Sequence, residues 1–304
     1  MRDDPNDKAK IEIALAVGNG VGERAHWSID EAALYWVDIT GRAIERFEPA
    51  ANRHDRWPVA GFPEAIALRR KGGAILALDN RVCLFDFTGA PRMLCIPEPD
   101  RPGNRLNEGA CDPQGRFRVG TMQNNIATDG SSKAIDAHSG RLFRIKADGA
   151  VAQADAHEYG ISNTMTWRAD GAFLFADTLA QTIYRFDYDP ASGAIANRRV
   201  FAHTETPGFP DGSCLDAKGY LWNARFGGAA LIRYAPDGRI DRIVKLPVKN
   251  PTSCAFGGPN LATLFVTSAR FGLTSYEIAA NPAEGALLAL DVAEAGTAAA
   301  RFAG

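Results

Sequence analysis

The sequence predicts an all-β fold, a six-bladed β-propeller with four antiparallel strands in each blade. The first observation is a repeat: six copies of one module recur at intervals of 41, 43, 56, 48 and 40 residues, a spacing typical of propellers and other repeat arrays. The second is the pattern within the copies, where a short apolar run, a polar turn and a strand-like run follow one another. A pair of β-sandwiches is the alternative architecture.

The residue that opens each copy is fixed by its offset from a hydrophobic residue four positions later. The clearest copy runs from Pro210 to Asn223. The openers are, in chain order, Glu23, Glu64, Asn107, Asn163, Asp211 and Pro251, and the later residues are Trp27, Leu68, Cys111, Trp167, Leu215 and Ala255. Because equivalent positions of a propeller converge on its axis, we expect the polar openers to face one funnel.

Three segments lie outside the repeat. Residues 1–9 are polar and are predicted to form a mobile tail. Residues 11–17 alternate as a strand, which we expect to pair into the last blade because the ring would otherwise keep an open edge. The longest interval contains a polar segment, residues 123–139, that is predicted to be a lid over a site, with a disordered insertion as the alternative.

Length and composition are typical of one propeller domain, residues 1–304, that acts on small molecules. The 304 residues carry a formal net charge of −2 with scattered Lys and Arg, so no basic surface for nucleic acid is indicated. No apolar run is long enough to cross a membrane, and the N-terminus lacks the features of a secretion signal. We therefore expect a cytoplasmic monomer or weak homo-oligomer without a nucleic-acid or membrane partner.

The cysteines and histidines show no metal-binding or catalytic spacing. The five cysteines are an odd number and three of them lie in the repeated apolar run, so buried free thiols are predicted. The five histidines are dispersed along the chain, which argues against a zinc protease or a catalytic triad.

The polar openers predict a metal site. Several carboxylates in a narrow funnel repel one another unless a cation or shared protons neutralise them. Oxygen ligands without His or Cys suit a hard divalent ion such as Ca²⁺, Mg²⁺ or Mn²⁺ better than zinc. Few protein ligands would leave coordination positions open for water or substrate.

Several motifs, in their order and spacing, resemble the SMP-30/gluconolactonase family, also called the regucalcin family, over essentially the whole chain. They are Gly22-Glu23, Arg105-Leu106-Asn107-Glu108-Gly109, Gly120-Thr121-Met122, Ile161-Ser162-Asn163, Pro210-Asp211-Gly212, Gly219-Tyr220-Leu221-Trp222 and Thr267-Ser268-Ala269-Arg270. The resemblance implies a six-bladed propeller that binds one divalent cation, with Ca²⁺ expected first and Mg²⁺, Mn²⁺, Zn²⁺ or Fe²⁺ as alternatives.

The resemblance also implies roles for individual residues. Glu23, Asn163 and Asp211 would bind the cation, and Asp211 would also be the catalytic acid and base. Arg105 and Asn107 would contact the substrate, although an exposed salt-bridging residue is the alternative for Arg105, which only the resemblance indicates.

The activity implied by the resemblance is that of a lactonase, because members of the family characteristically hydrolyse sugar lactones. We expect metal-assisted hydrolysis of an aldonolactone such as gluconolactone, xylonolactone or arabinonolactone to the aldonic acid. A non-enzymatic propeller that binds calcium or a sugar acid is the alternative. Hydrolysis of phosphotriesters is a third interpretation, which requires a wider and more apolar funnel.

Two positions depart from the family pattern. The usual Gly-Glu-Gly-Pro is Gly22-Glu23-Arg24-Ala25 here, and the usual Asn-Asp-Gly is Asn107-Glu108-Gly109. Arg24 adds a cation beside the expected metal, where it would affect entry geometry and substrate preference. Glu108 lengthens a carboxylate that either faces the pocket or caps the turn. Glu64 is left as an inner acid that would contact substrate hydroxyls or hold a water molecule.

Overall fold

The computed structural model describes residues 9–204 and 207–304, so the predicted mobile tail lies, apart from Ala9, outside the described residues. The described residues form six four-stranded antiparallel sheets, which confirms the predicted six-bladed propeller. The inner strand of each sheet contacts the inner strands of both neighbouring sheets, and these contacts close into a ring.

The first strand of the chain, β1 (Lys10–Leu15), belongs to the last blade, and blades 1 to 3 follow it in order. Blade 1 comprises β2 (Gly22–Ser28), β3 (Ala33–Asp38), β4 (Ala43–Glu48) and β5 (Arg53–Pro58). Blade 2 comprises β6 (Pro63–Leu68), β7 (Ala74–Leu78), β8 (Arg81–Phe85) and β9 (Arg92–Cys95). Blade 3 comprises β10 (Asn104–Cys111), β11 (Phe117–Gln123), β12 (Leu142–Ile145) and β13 (Val151–Gln153).

Blades 4 to 6 complete the ring. Blade 4 comprises β14 (Ser162–Trp167), β15 (Ala172–Asp177), β16 (Thr182–Tyr188) and β17 (Ile195–His203). Blade 5 comprises β18 (Phe209–Leu215), β19 (Leu221–Phe226), β20 (Ala230–Tyr234) and β21 (Ile240–Lys245). Blade 6 comprises β22 (Pro251–Gly257), β23 (Thr263–Ser268) and β24 (Leu287–Asp291) with β1 as its outer strand. Helix α1 (Ser275–Ala280) is short, and no helix in the described ranges is long and apolar enough to cross a membrane.

The ring is closed by pairing between the two ends of the chain, as the sequence predicted. Strand β1 runs antiparallel to β24, with Ile11 opposite Leu290 and Ile13 opposite Leu288. This pairing covers the edge of β24, which would otherwise present unpaired backbone groups.

Alternation along the strands builds a hydrophobic core between neighbouring blades. All six residues of β3 are buried. Leu34 and Trp36 pack with Phe265 of blade 6, whereas Tyr35 and Val37 pack with apolar residues of blade 2. Because successive side chains of a strand point to opposite faces, one strand contributes to two cores.

Each inner strand contains one more residue than the strand it pairs with, next to the opener of the repeat. In blade 1, Glu23 pairs with Val37 and His26 with Tyr35, so two residues of β2 oppose one of β3. The other register breaks are Pro63/Ala65, Leu106/Gly109, Asn163/Met165, Pro210/Ser213 and Pro251/Ser253. Such β-bulges bend a strand and redirect its side chains. We call the end of the ring at which they lie the upper mouth.

The cysteines are free thiols, as predicted, although not all are fully buried. Cys83, Cys111 and Cys254 are buried, and Cys95 and Cys214 are half-buried. Burial raises the pKa of Cys83, Cys95, Cys111 and Cys214 thiols, which favours their neutral form.

The last residues of the chain cross the lower mouth of the ring, a feature that the repeat does not predict. The backbone N–H of Thr297 donates to Leu215 of blade 5, and that of Phe302 donates to Leu68 of blade 2. The residue after Phe302 donates to Gly115 of blade 3. The Phe302 ring is fully buried among apolar residues of blades 2 and 3. This C-terminal segment therefore connects three blades.

We predict that Phe302→Ala lowers the free energy of unfolding by about 3–5 kcal/mol, the usual cost of removing a buried aromatic ring. Urea unfolding followed by intrinsic fluorescence measures the effect. Tyr276→Ala is the control, because that side chain is 83% exposed and its removal should change stability by less than about 0.5 kcal/mol. Equal effects of both substitutions would contradict a role of the C-terminal segment in holding the blades together.

Candidate active site

The funnel at the upper mouth contains the side chains that the sequence predicted to meet there. A cavity of about 150 Å³ is lined by Glu23, Arg105, Asn107, Asn163 and Asp211, among other residues. Four of these are openers on the inner strands of blades 1, 3, 4 and 5, and Arg105 lies two residues before one of them.

The rest of the funnel wall is mostly apolar. The apolar residues are Val21, Ile39, Met122, Ile126, Ile161, Phe226 and Phe271. The remaining polar residues are Asn125, Thr178 and Thr252. An apolar wall displaces water, and the lower effective dielectric strengthens every interaction between charges inside the funnel.

Glu23 and Asp211 carry the carboxyls at the base of this funnel, where Asp211 is buried and Glu23 is half-buried. Burial, followed by the charges of Asp211 and Glu108, raises the pKa of Glu23 well above its usual range. Burial and the charge of Glu108 likewise raise the pKa of Asp211, against the opposing influence of Arg225. Each of the two carboxyls also influences the pKa of the other, so they lie close together.

The amide of Asn163 is oriented with its oxygen toward the funnel. Its Nδ2 donates to the Thr178 hydroxyl at 2.9 Å, and that hydroxyl donates to the Pro210 carbonyl at 2.7 Å. The opposite atom, Oδ1, lies 3.4 Å from Asn107 Nδ2. The Thr178 contact therefore fixes which end of the amide is available to a ligand.

The backbone of Asp211 is also held in place. Its carbonyl accepts hydrogen bonds from the Thr164 hydroxyl at 2.6 Å and from Asn223 Nδ2 at 3.0 Å. Thr164 and Asn223 are buried, and Asn223 Nδ2 also contacts the Ser213 hydroxyl at 2.9 Å. These contacts restrict the direction in which the Asp211 carboxyl can point.

The residues present fit a hard divalent cation. Glu23 and Asp211 repel each other, form no ion pair within the described part of the chain, and stand beside the oriented amide oxygen of Asn163. Carboxylate and amide oxygens are ligands of Ca²⁺, Mg²⁺ and Mn²⁺. Among residues 9–204 and 207–304, no group of three or more His, Cys, Asp or Glu side chains could hold a metal. A third oxygen ligand beside Glu23 and Asp211 would be the amide of Asn163.

Arg105 is fixed by acceptors on three sides. Its Nη1 donates to Glu64 Oε2 and to Asn107 Oδ1, each at 2.7 Å, and to the Leu106 carbonyl at 2.8 Å. Its Nε and Nη2 both donate to Asn125 Oδ1, at 3.1 and 2.9 Å. These contacts hold the guanidinium in one orientation at the funnel wall.

Glu64 does not line the funnel, in contrast to the expectation from the repeat. Its fully buried carboxylate pairs with Arg105, which lies between Glu64 and the cavity. Burial raises the pKa of Glu64 to about 8, whereas the charge of Arg105 opposes this increase. The expected contact of Glu64 with substrate hydroxyls or water is therefore replaced by an ion pair. The alternative for Arg105 was an exposed salt-bridging residue. Arg105 does form a salt bridge, but its side chain is only 9% exposed.

Thr178 and Asn125, which hold Asn163 and Arg105 in place, were not assigned a role from the sequence. Thr178 follows the second strand of blade 4, outside the repeated opener, and no motif marks it. Asn125 lies in the segment of residues 123–139, whose polarity suggested a lid but not a contact with Arg105. Both act through hydrogen bonds between segments, which sequence spacing does not reveal.

Comparisons with known proteins identify one family. A family model described as SMP-30/Gluconolactonase/LRE-like region matches residues 21–270. The chain is 34% identical to regucalcin of Xenopus laevis over 268 residues, 87% of this chain and 88% of that protein. It is 35% identical to pentonolactonase XacC of Haloferax volcanii over 282 residues, 91% of this chain and 92% of that protein. The crystal structure of a calcium-binding protein, regucalcin, from Agrobacterium tumefaciens has a TM-score of 0.89 at 28% identity, covering 97% of both chains.

The raised pKa of Glu23 predicts how the stability of the metal-free protein depends on pH. The folded state retains a proton that the unfolded chain releases near its ordinary pKa, so the free energy of unfolding falls as pH rises. The contribution of one such carboxyl is up to about 1.4 kcal/mol per pH unit as pH rises above the ordinary pKa of a glutamate, about 4.3. In EDTA, Glu23→Gln should therefore lose less stability than the wild type over this range.

Urea unfolding at several pH values, with EDTA and with Ca²⁺, measures this difference. Ca²⁺ should stabilise the wild type most at the alkaline end, where both carboxyls are ionised. Glu277→Gln is the control: hydrogen bonds to Lys249 and Thr274 lower the pKa of Glu277 to about 2, so its titration lies below the tested range. Parallel pH profiles for the wild type and Glu23→Gln would contradict the prediction.

Proposed function

The chain belongs to the SMP-30/gluconolactonase/LRE-like family, and we propose that it hydrolyses the ester bond of a small sugar lactone with one divalent cation as cofactor. The product would be the aldonic acid. Ca²⁺ is the first candidate for the cation. A relative 35% identical to this chain is named a pentonolactonase, which supports lactones such as xylonolactone and arabinonolactone beside gluconolactone.

One observation carries the proposal: two uncompensated carboxyls, an oriented amide oxygen and an oriented guanidinium face the same cavity. Glu23, Asn163 and Asp211 are the proposed metal ligands. Arg105 and Asn107 are the proposed substrate contacts. A protein that binds only Ca²⁺ needs the first set alone, whereas binding or hydrolysis of a polar ring also needs groups that orient the ring.

The proposed reaction divides the chemistry between the ligands and the funnel wall. When bound, a divalent cation would polarise the lactone carbonyl and stabilise the charge that develops on its oxygen, a contribution of several kcal/mol. Asp211 would accept a proton from the attacking water and return it to the ring oxygen that leaves. Arg105 and Asn107 would donate hydrogen bonds to substrate oxygens, and a hydroxyl missing from the wrong substrate would leave these donors unpaired.

The segment of residues 123–139 is proposed to act as a lid. Asn125 and Ile126 belong to the funnel wall, and the Asn125 contact couples the segment to Arg105.

The apolar part of the wall is what hydrolysis of phosphotriesters requires, but a cavity of about 150 Å³ is narrow for such substrates. A cytoplasmic location, a monomeric or weakly oligomeric state and one domain over residues 1–304 stay predictions.

We predict metal-dependent release of acid from at least one of gluconolactone, xylonolactone and arabinonolactone. The assay compares the protein as purified, after EDTA, and after addition of Ca²⁺, Mg²⁺, Mn²⁺ or Zn²⁺, with subtraction of spontaneous hydrolysis. An aryl phosphotriester in the same panel tests the third interpretation. Binding of Ca²⁺ or an aldonic acid in calorimetry without turnover of any lactone would instead favour a non-enzymatic propeller.

Substitution of two ligands separates metal binding from proton transfer. Asp211→Asn keeps an oxygen for the cation but cannot accept a proton, so kcat at saturating metal should fall by about 10²- to 10⁴-fold or more. Asn163→Ala removes a neutral ligand but leaves the base, so part of its activity should return as metal is raised.

The measurement is kcat against metal concentration for both variants, with metal occupancy followed by calorimetry. A wild-type kcat in metal-saturated Asp211→Asn would exclude Asp211 as the base. Failure of Asn163→Ala to recover at full metal occupancy would show that the amide also has a role in the reaction.

A further inference from the structure

Two charged side chains meet behind the proposed metal ligands, inside the ring. Arg24 follows Glu23 in β2, and Glu108 follows Asn107 in β10. Arg24 Nε lies 3.2 Å from Glu108 Oε1, and the two side chains are 10% and 1% exposed. A buried ion pair therefore links blade 1 to blade 3, although blade 2 lies between them in the ring.

Small residues at the equivalent positions leave space for this pair. In each blade the residue after the opener stands at the same level of the inner strand, and the intervening blade 2 carries Ala65 there. Blades 4, 5 and 6 carry Thr164, Gly212 and Thr252. Only Arg24 and Glu108 bring charges to this level among the six positions.

The pair lies between two cavities. Arg24 lines a second cavity, of about 190 Å³, that extends toward the lower mouth and reaches the C-terminal residues Thr297 to Ala300. Its backbone N–H donates to the Glu23 carboxylate on the other side. Arg24 thus contacts a proposed metal ligand with its backbone and Glu108 with its side chain.

Arg24 combines an unusual backbone conformation with a buried charge. Its φ of 51° lies in the left-handed region, which residues other than glycine rarely adopt. A buried guanidinium is unfavourable as well unless a carboxylate offsets its charge. Glu108 supplies that charge, and Arg24 in turn offsets a third buried carboxylate beside Glu23 and Asp211.

Arg225 does not replace Arg24 in this role. It is buried and close enough to Asp211 to influence that carboxyl. However, its guanidinium donates to the carbonyls of Thr204, Pro207 and Gly208 and to the Asn223 side chain. Arg24 is therefore the cation that the described residues offer to Glu108.

We propose that Arg24 and Glu108 form a positioning pair beneath the metal site, in which Arg24 holds the Glu108 carboxylate away from the cation and cancels its charge. This inference rests on the proposed function only in requiring a cation at Glu23, Asn163 and Asp211. With Glu108 held back, the cation would keep open positions for substrate and water. Removal of either member should therefore change metal affinity, and the two changes should have opposite signs.

The prediction is a pair of opposite effects that cancel. Arg24→Met leaves Glu108 without its counter-ion, so Ca²⁺ should bind about 10- to 100-fold more tightly, as expected for one unit charge a few ångströms from a divalent ion. Turnover should fall, because Glu108 can then occupy an open position. Glu108→Gln leaves Arg24 unpaired and should weaken Ca²⁺ binding by a similar factor. The double variant should bind Ca²⁺ within about threefold of the wild type.

The readout is calorimetric titration of the metal-free protein with Ca²⁺, with kcat and KM measured in parallel. Arg24→Lys retains the positive charge and should bind Ca²⁺ with wild-type affinity. A change in Arg24→Met that is absent from Arg24→Lys is then due to the lost charge and not to altered packing or misfolding. Arg233→Met is the control, because Arg233 and Asp216 form an equally buried pair at 2.6 Å. Asp216 follows the last residue of β18, five residues after Asp211, which corresponds to about 16 Å of extended strand, so Ca²⁺ affinity should be unchanged.

The outcomes distinguish this inference from the proposed function. Shifts of both single variants in the same direction, or a double variant no closer to the wild type than its parents, would overturn the positioning pair. Unchanged affinity in Arg24→Met that is folded by circular dichroism would overturn it as well. If the wild type binds Ca²⁺ but hydrolyses no lactone, the proposed function fails while the calorimetric test of the pair stands.

Discussion

The extra residue in each inner strand is the constraint on which the funnel depends. Side chains of a regular strand alternate between two faces, and in this protein both faces pack into cores between blades. A bulge interrupts that alternation near the opener, so a polar side chain can turn to the axis without entering an apolar core. The same backbone irregularity is therefore used six times, and the side chain at each copy decides what the site can do.

The four acids at and beside the funnel divide into two groups according to their partners. Glu64 pairs with Arg105, and Glu108 pairs with Arg24. The buried Asp211 and the half-buried Glu23 form no ion pair among the described residues. A fold that supplied every acid with an arginine would leave no net negative charge for a cation. Of these four acids, Glu23 and Asp211 are therefore the two whose charge has no counter-ion among the described residues.

The sequence was sufficient for the architecture and for the position of the openers, because both follow from a fixed offset in a repeat. It also indicated Asn163 and Asp211 as neighbours at one mouth, since equivalent positions in a ring must converge. It was insufficient for Glu64, whose direction depends on an arginine from the next blade. Likewise, Arg24 and Glu108 were recognised separately as departures from a pattern, and their contact appears only when blades 1 and 3 are seen together. The C-terminal segment follows no repeat, so no pattern in the sequence predicted its position.

The closure of the ring by β1 and β24 has a consequence for how the protein is made. The two strands lie at opposite ends of the chain, with Leu15 opposite Leu287. At a synthesis rate of about 5–20 residues per second, the ribosome needs roughly 15–55 s to reach the partner of β1. During that time the first strand has no partner within its own sheet, and blades 1 to 5 are complete before it can be used. The nascent chain therefore carries an open ring until its last blade emerges.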